Sequence, residues 1–244
     1  MDRDYALYLL EKIKKDYNKL ALHFSLTRRF PWFEFLFLIK YIKSGDKILD
    51  LGCGNGRFIE LIKDLPIEYT GLDISQELIF LSKKRFENLK KTGQLKIKNF
   101  HLVIGDALNL PFEDNSFDAI FSISVFHQIP SLEFRLRFLK EARRVLKNEG
   151  FLILSVWNFW QKKFLLNLIK YTLLKLLRKV KLDFKDIFIP WKTSQNQIIL
   201  RYYHAFTKSE IKRLCQKSGF KVEKIGFLRS KGRRNIYVVA KKYN

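Results

Sequence analysis

A doubly wound α/β fold is predicted by three features of this chain: short apolar strands alternating with amphipathic helices, a glycine loop directly after the first strand, and carboxylates closing the next two strands. The predicted sheet is Rossmann-like and seven-stranded, mostly parallel with a C-terminal antiparallel hairpin, and it carries helices on both faces.

The elements follow in order. Residues 4–22 place Tyr5, Leu9, Ile13, Tyr17 and Leu20 near helical spacing. Pro31 suits a first helical turn, which predicts a second helix through Ile42, ended by Ser44 and Gly45. The run 47–51 is a buried strand entering Gly52, Gly54 and Gly56, and a helix over 56–63 leads by Pro66 to a second strand, 68–73. Ser75 caps a helix to Lys91, closed by Thr92 and Gly93, and a third strand occupies 100–106. The turn cluster 111–116 precedes a fourth strand, 117–124. Ser131 caps a helix to Lys147 that buries Leu132, Leu136, Leu139, Ala142 and Leu146, and a fifth strand covers 151–157. Thr207 starts a helix to Ser218, Gly219 stops it, and strands over 220–228 and 236–240 form the closing hairpin.

These signals give one domain, 1–244, in four parts: an N-terminal helical cap (1–45), a cofactor-binding core (46–157), a basic amphipathic insertion (158–200) and a C-terminal helix and hairpin (201–244). In the insertion, Leu165, Leu168, Ile169, Thr172, Leu173, Leu176, Leu177 and Val180 form one stripe, with Lys163, Lys170 and Arg178 on the other face. Three readings fit it: a helix packed on the domain with a solvated back, an RNA-facing lid, and a membrane-surface helix.

A hydrophobic content of 47% with 29% charged residues excludes a disordered chain, and 244 residues suffice for a full α/β core. Two distant cysteines, Cys53 and Cys215, give no disulfide framework, so a reducing cytoplasm is expected; neither a signal peptide nor a spanning helix is predicted. The net charge of +23 is uneven. From residue 158 onward, 22 lysines and arginines face four acidic residues, whereas 1–157 holds 25 basic and 20 acidic side chains. Such a polycationic third draws polyanions, nucleic acid first and an anionic membrane surface after it.

The loop chemistry points to the cofactor. The motif is D-x-G-x-G-x-G from Asp50 through Gly52, Gly54 and Gly56, and Arg57 stands where a dinucleotide fingerprint has its third glycine. A phosphate-free ligand with an ammonium group and a ribose suits it: S-adenosylmethionine. Asp73, 17 residues past Gly56, is placed to accept from both ribose hydroxyls, and Asp106 with Ala107 to read the adenine amino group.

With those residues in hand, the chain resembles the tRNA wobble-uridine carboxyl methyltransferases, which esterify 5-carboxymethyluridine in the anticodon. The general part of the resemblance is LDLGCGNGRF, GLDIS, GDALNLPFEDNSFDAIFSISVFH and EARRVLKNEG; the specific part is HFSLTR, DIFIPW and RYYHAF. The family shows two histidines after the fourth strand where this chain has His127 and Gln128, and often Tyr-Asp where it has Tyr17 and Asn18. The resemblance implies S-adenosylmethionine as donor, a tRNA anticodon-loop uridine as acceptor, Tyr17 over the methionine end of the cofactor, and, as in some relatives, a small zinc-binding activator subunit. The chain shows no metal-ligand spacing of its own.

A carboxylate acceptor is ionised at neutral pH and needs no general base, only a cationic clamp and in-line positioning. Arg29, Arg201 and His204 are the candidates for the clamp, and His127 for the acceptor pocket, all within motifs of the resemblance. Trp157, Tyr202 and Tyr203 are candidates to stack on a flipped-out base. The rival reading is a small-molecule methyltransferase, of lipid or quinone type, that uses the amphipathic helix to dock at a membrane. A binding module without catalysis would not need His127, Arg29 and RYYHAF together.

Overall fold

The protein is described from a computed structural model covering every residue except Arg29, Trp32, Ser194, Gln195, Lys231, Gly232 and Asn244. Seven strands form the main sheet: β1 (Lys47–Leu51), β2 (Glu68–Asp73), β3 (Asn99–Ile104), β4 (Phe117–Ile123), β5 (Leu146–Trp157), β8 (Phe220–Ser230) and β9 (Arg233–Lys242). Their order is β3-β2-β1-β4-β5-β9-β8, with β9 antiparallel to both its neighbours, β5 and β8, and the other pairings parallel. The seven strands and the antiparallel C-terminal pair agree with the sequence expectation.

Both faces of the sheet are covered, so β1 and β4 are apolar runs without alternation in exposure. The alternation survives in which core each side chain enters. Leu152, Leu154 and Val156 of β5 join the cluster beneath α4 (Leu132–Val145) and α6 (Lys208–Lys217), while Ile153 joins the opposite cluster with Ile48 and Tyr69. Helix α3 (Gln76–Lys91) begins where the Ser75 hydroxyl accepts from Leu78 N at 3.2 Å, and α6 where Thr207 accepts from Glu210 N at 3.2 Å. Both caps fall where the sequence placed them.

Four expectations are corrected. Helix α1 (Arg3–Thr27) runs five residues past its expected end at 22, and α2 is a single turn, Ile59–Ile62. The second helix is a 3-10 run, Phe33–Tyr41, which buries Phe35 and Leu38 at the three-residue spacing of that tighter helix. The insertion holds more than an amphipathic helix: after α5 (Lys162–Leu176) the chain forms β6 (Asp186–Lys192), which pairs antiparallel with β7 (Ile198–His204) in a separate two-stranded sheet. The expected division between residues 200 and 201 therefore falls inside β7.

Strand order reverses between β1 and β4, where open α/β sheets hold ligands beyond their carboxyl ends. The two chains leaving that crevice touch. A Cβ on Gly52, which follows β1, would lie 2.3 Å from Cγ2 of Val125, which follows β4, and Gly52 has φ +80°. Only glycine fits both constraints.

Candidate active site

A cavity of about 670 Å³ opens over this crevice. One side is lined by the glycine loop (Gly52, Cys53, Gly54, Asn55), the β2 and β3 ends (Asp73, Asp106, Ala107) and the β4 end (Ser124, Val125). The other side is lined by Tyr17, Phe24 and Arg28 of the α1 end, by His127, Trp157 and Asn158, and by Trp191, Arg201 and Tyr203 of the β6–β7 hairpin.

The cofactor side is pre-set by backbone hydrogen bonds. Asp73 Oδ2 accepts from Gly54 N at 2.8 Å and Oδ1 from Ser75 N at 2.9 Å, so the β2 carboxylate clasps the glycine loop at the cavity wall. Burial raises its pKa, with hydrogen bonds from Ser75 and Gly54 working against the shift. Asp106 Oδ1 accepts from Leu108 N at 2.8 Å, which fixes the turn carrying Ala107. Asn18 Oδ1 accepts from Ser75 Oγ at 2.8 Å and ties α1 over the start of α3, leaving Tyr17 at the cavity wall.

These residues fit S-adenosylmethionine. Among the described residues, the Cβ position of Gly54 meets only Phe24, at 3.8 Å, leaving the loop open to a ligand, and the Ser124 hydroxyl is buried at the cavity with no hydrogen-bond partner. Asp50 departs from its expected place. Strand alternation turns it under the loop, where Oδ2 accepts from Tyr69 Oη at 2.7 Å, burial lifts its pKa to about 7, and it does not line the cavity. Gly56 also supports the loop from outside the cavity wall, since a Cβ there would meet Ser82 Oγ at 2.5 Å.

The acceptor side is a cage of rings around a cation. The Arg201 guanidinium sits 4.1 Å from the Trp191 ring centroid, 5.1 Å from Tyr203 and 5.9 Å from Trp157. Arg201 is only 6% exposed, and among the described residues its Nε finds no hydrogen-bond partner, nor does the buried Trp191 indole N–H. Arg28 brings a second guanidinium to Trp191, at 4.4 Å. Trp157 and Tyr203 stack at 5.4 Å with 21° between planes.

His127 is buried among Trp157, Tyr203 and Phe159. Its Nδ1 accepts from Trp157 N at 3.2 Å, so the neutral ring carries its proton on Nε2 and offers a donor. Burial first, then the Arg201 charge, lower its pKa to about 3. Its stabilising contribution is therefore complete above 6.5, the ordinary histidine value, and is lost as pH falls toward about 3. Chemical denaturation at pH 7 and 4.5 should show His127→Gln flattening the acid-side loss of stability by about 2 kcal/mol, since each pKa unit is worth roughly 1.4 kcal/mol. An equal loss in both proteins would remove this role.

The motif RYYHAF splits by strand period. Arg201 and Tyr203 line the cavity, while Tyr202 and His204 point the other way into a buried ionic network. Arg135 donates to Tyr202 Oη at 2.9 Å and to Asp186 Oδ1 at 3.2 Å. His204 bridges Asp186 Oδ1 (2.6 Å) and Glu210 Oε1 (2.8 Å), and Lys185 reaches Glu210 Oε2 at 2.9 Å. For Glu210, burial opposes ionisation, but the hydrogen bond and charge of His204, with Lys185 behind them, bring its pKa to about 2. His204 therefore belongs to the anchoring of the hairpin rather than to a clamp, and Tyr202 is walled off from any base. Arg29 lies outside the described residues. Arg28 and Trp191 are among the cavity residues missed from sequence; the signal for Trp191 was its place at the end of DIFIPW.

Residues 49–154 match the model of the methyltransferase domain. A methyltransferase-named protein of Encephalitozoon cuniculi is 32% identical over 211 residues, covering 86% of this chain and 87% of its own. The chain belongs to the S-adenosylmethionine-dependent methyltransferase family. The tRNA (carboxymethyluridine(34)-5-O)-methyltransferase of Schizosaccharomyces pombe is 27% identical over 255 residues, with 96% and 98% of the two chains covered. Animal and plant relatives bearing the same activity in their names are longer, and this methyltransferase spans between 21% and 37% of their length. Among solved structures, the methyltransferase in the complex with the Haloferax volcanii Trm112 methyltransferase activator superposes with a TM-score of 0.62 at 15% identity, over 95% of this chain and 98% of that one, a likeness of fold.

Proposed function

We propose that this methyltransferase transfers the methyl group of S-adenosylmethionine to the carboxylate of a modified wobble uridine in tRNA. The observation that carries the reading is the caged Arg201 cation, whose buried Nε has no hydrogen-bond partner among the described residues, at the cavity that also holds the glycine loop. A buried, unmatched donor on a cation calls for an anion, and a planar guanidinium matches a carboxylate by two parallel hydrogen bonds. The names of the S. pombe, animal and plant relatives support the acceptor.

The bound sulfonium supplies an electrophilic methyl carbon, and an ionised carboxylate is nucleophile enough to take it. This chain's residues then have to hold the acceptor in line. Arg201 fixes the carboxylate and Arg28 adds charge beside Trp191; His127 donates from Nε2 without taking a proton. Trp157 and Tyr203, stacked on each other, present a ring face for the uracil. Gly52, Gly54, Asp73, Asp106, Ala107 and Tyr17 hold the donor, with Asp50 and Gly56 bracing the loop from behind. The protein works in the cytoplasm on this reading, in keeping with two buried free thiols, Cys53 and Cys215. A small zinc-binding activator subunit is the proposed protein partner, by analogy with the Haloferax complex.

The test is transfer of labelled methyl from S-adenosylmethionine into bulk tRNA, with and without an activator, followed by mild alkali. Release of the label as methanol is the expected result. Label that survives alkali would replace the carboxyl ester with another RNA product, and no incorporation despite cofactor binding would refute the RNA substrate. Because phosphate contacts by the polycationic C-terminal third release counterions, tRNA affinity should also fall by about 10³-fold or more between about 50 and 200 mM salt. A flat response would refute that electrostatic contribution.

A further inference from the structure

Helix α5 turns its apolar stripe to solvent. Leu168 is buried and Phe164 and Tyr171 pack inward, but Leu165, Leu166, Ile169, Leu173, Leu176 and Leu177 are 46–80% exposed. At α-helical geometry those six fall within a sector of about 120°. The reading of a helix packed on the domain with a solvated polar back is thus reversed: the back is the leucine face. Exposed lysines and arginines frame it, Lys162 and Lys170 on the helix and Arg178, Lys179 and Lys181 just past its end, and no acidic residue occurs from 150 to 182.

We propose that α5 docks this methyltransferase onto an anionic lipid surface, with its leucine face sunk among the acyl chains and the basic frame on the headgroups. The charge pattern selects the occupant. A second copy of the chain would bring an identical basic frame against this one, in a protein of net charge +23. RNA would satisfy the lysines but leave six aliphatic side chains against phosphate and water. A membrane with acidic headgroups satisfies both at once, and its fluid surface conforms to a convex ridge. Among the described residues no helix is long and apolar enough to cross a membrane, so the contact is interfacial. The inference concerns where the enzyme sits and stands apart from the acceptor reading.

Flotation of the full chain with vesicles tests it, comparing phosphatidylcholine alone with phosphatidylcholine containing phosphatidylserine at physiological salt. The expected partition is at least about tenfold stronger onto the serine lipid, because each basic residue near the surface adds attraction. Leu166→Glu with Leu173→Glu should abolish that binding while leaving cofactor affinity and thermal midpoint unchanged, since both side chains are exposed. Lys170→Glu with Arg178→Glu should weaken it and remove the lipid preference. Equal binding to both vesicles, or undiminished binding by the leucine variant, would overturn the proposal. So would a wild-type dimer that the leucine variant converts to monomer, or a leucine variant whose only loss is tRNA affinity.

Discussion

On the proposed function, replacing Arg201 by alanine should lower kcat/KM on tRNA by about 100- to 1,000-fold, within the range for removing one partner of a buried, hydrogen-bonded charge pair that holds the carboxylate in line, with cofactor affinity unchanged. Two geometric facts set this expectation. The guanidinium is held 4.1 Å from Trp191, so its orientation is fixed before substrate arrives, and Nε has no competing partner. Arg201→Lys should recover little, because an ammonium keeps the charge but loses the planar fork and the ring contact. Single-turnover transfer with cofactor titration separates the cases. Full activity in Arg201→Ala would place the acceptor elsewhere in the cavity, and joint loss of turnover and cofactor binding would mean that the hairpin had collapsed.

The central sheet was legible because its signals are local: caps at Ser75, Ser131 and Thr207, glycines where φ turns positive, and strand runs whose composition admits little else. The mostly parallel pairing followed from the alternation of elements. What stayed hidden depends on partners distant in the chain. Asp50 and Asp73 both read as cofactor carboxylates, yet only the three-dimensional position of Tyr69 turns the first one inward. In RYYHAF the division was present as a period of two, but it required recognising 198–204 as a strand, and that strand exists only by pairing with 186–192. The outward leucines of α5 obey the same limit. Periodicity gives a stripe, and the direction it faces depends on which residues, here Leu168 and Phe164, the rest of the fold accepts.

The second large effect is on stability. Asp186 carries no exposed surface in its side chain and pairs with both the Arg135 guanidinium and His204 Nδ1. Asp186→Ala should cost about 3–5 kcal/mol, because it leaves the buried Arg135 cation without its carboxylate and removes the acceptor at His204 Nδ1. For a domain of this size that is a fall of roughly 6–20 °C in Tm. The change lies outside the cavity, so at temperatures where the variant remains folded its cofactor affinity should stay close to wild type. A loss below about 1 kcal/mol would mean that water or neighbouring groups compensate the network, as happens with solvent-accessible ion pairs.

The same network restricts how the enzyme is loaded. Swinging the β6–β7 wall outward would pull Asp186 and His204 from Arg135 and Glu210, breaking every buried contact of that network at once. The wall is a fixed jamb rather than a door. On the proposed acceptor reading, nucleotide and cofactor enter past it through the existing mouth, so a uridine would have to arrive already turned out of its loop, and release of the spent cofactor would wait on departure of the RNA wherever the two share that passage.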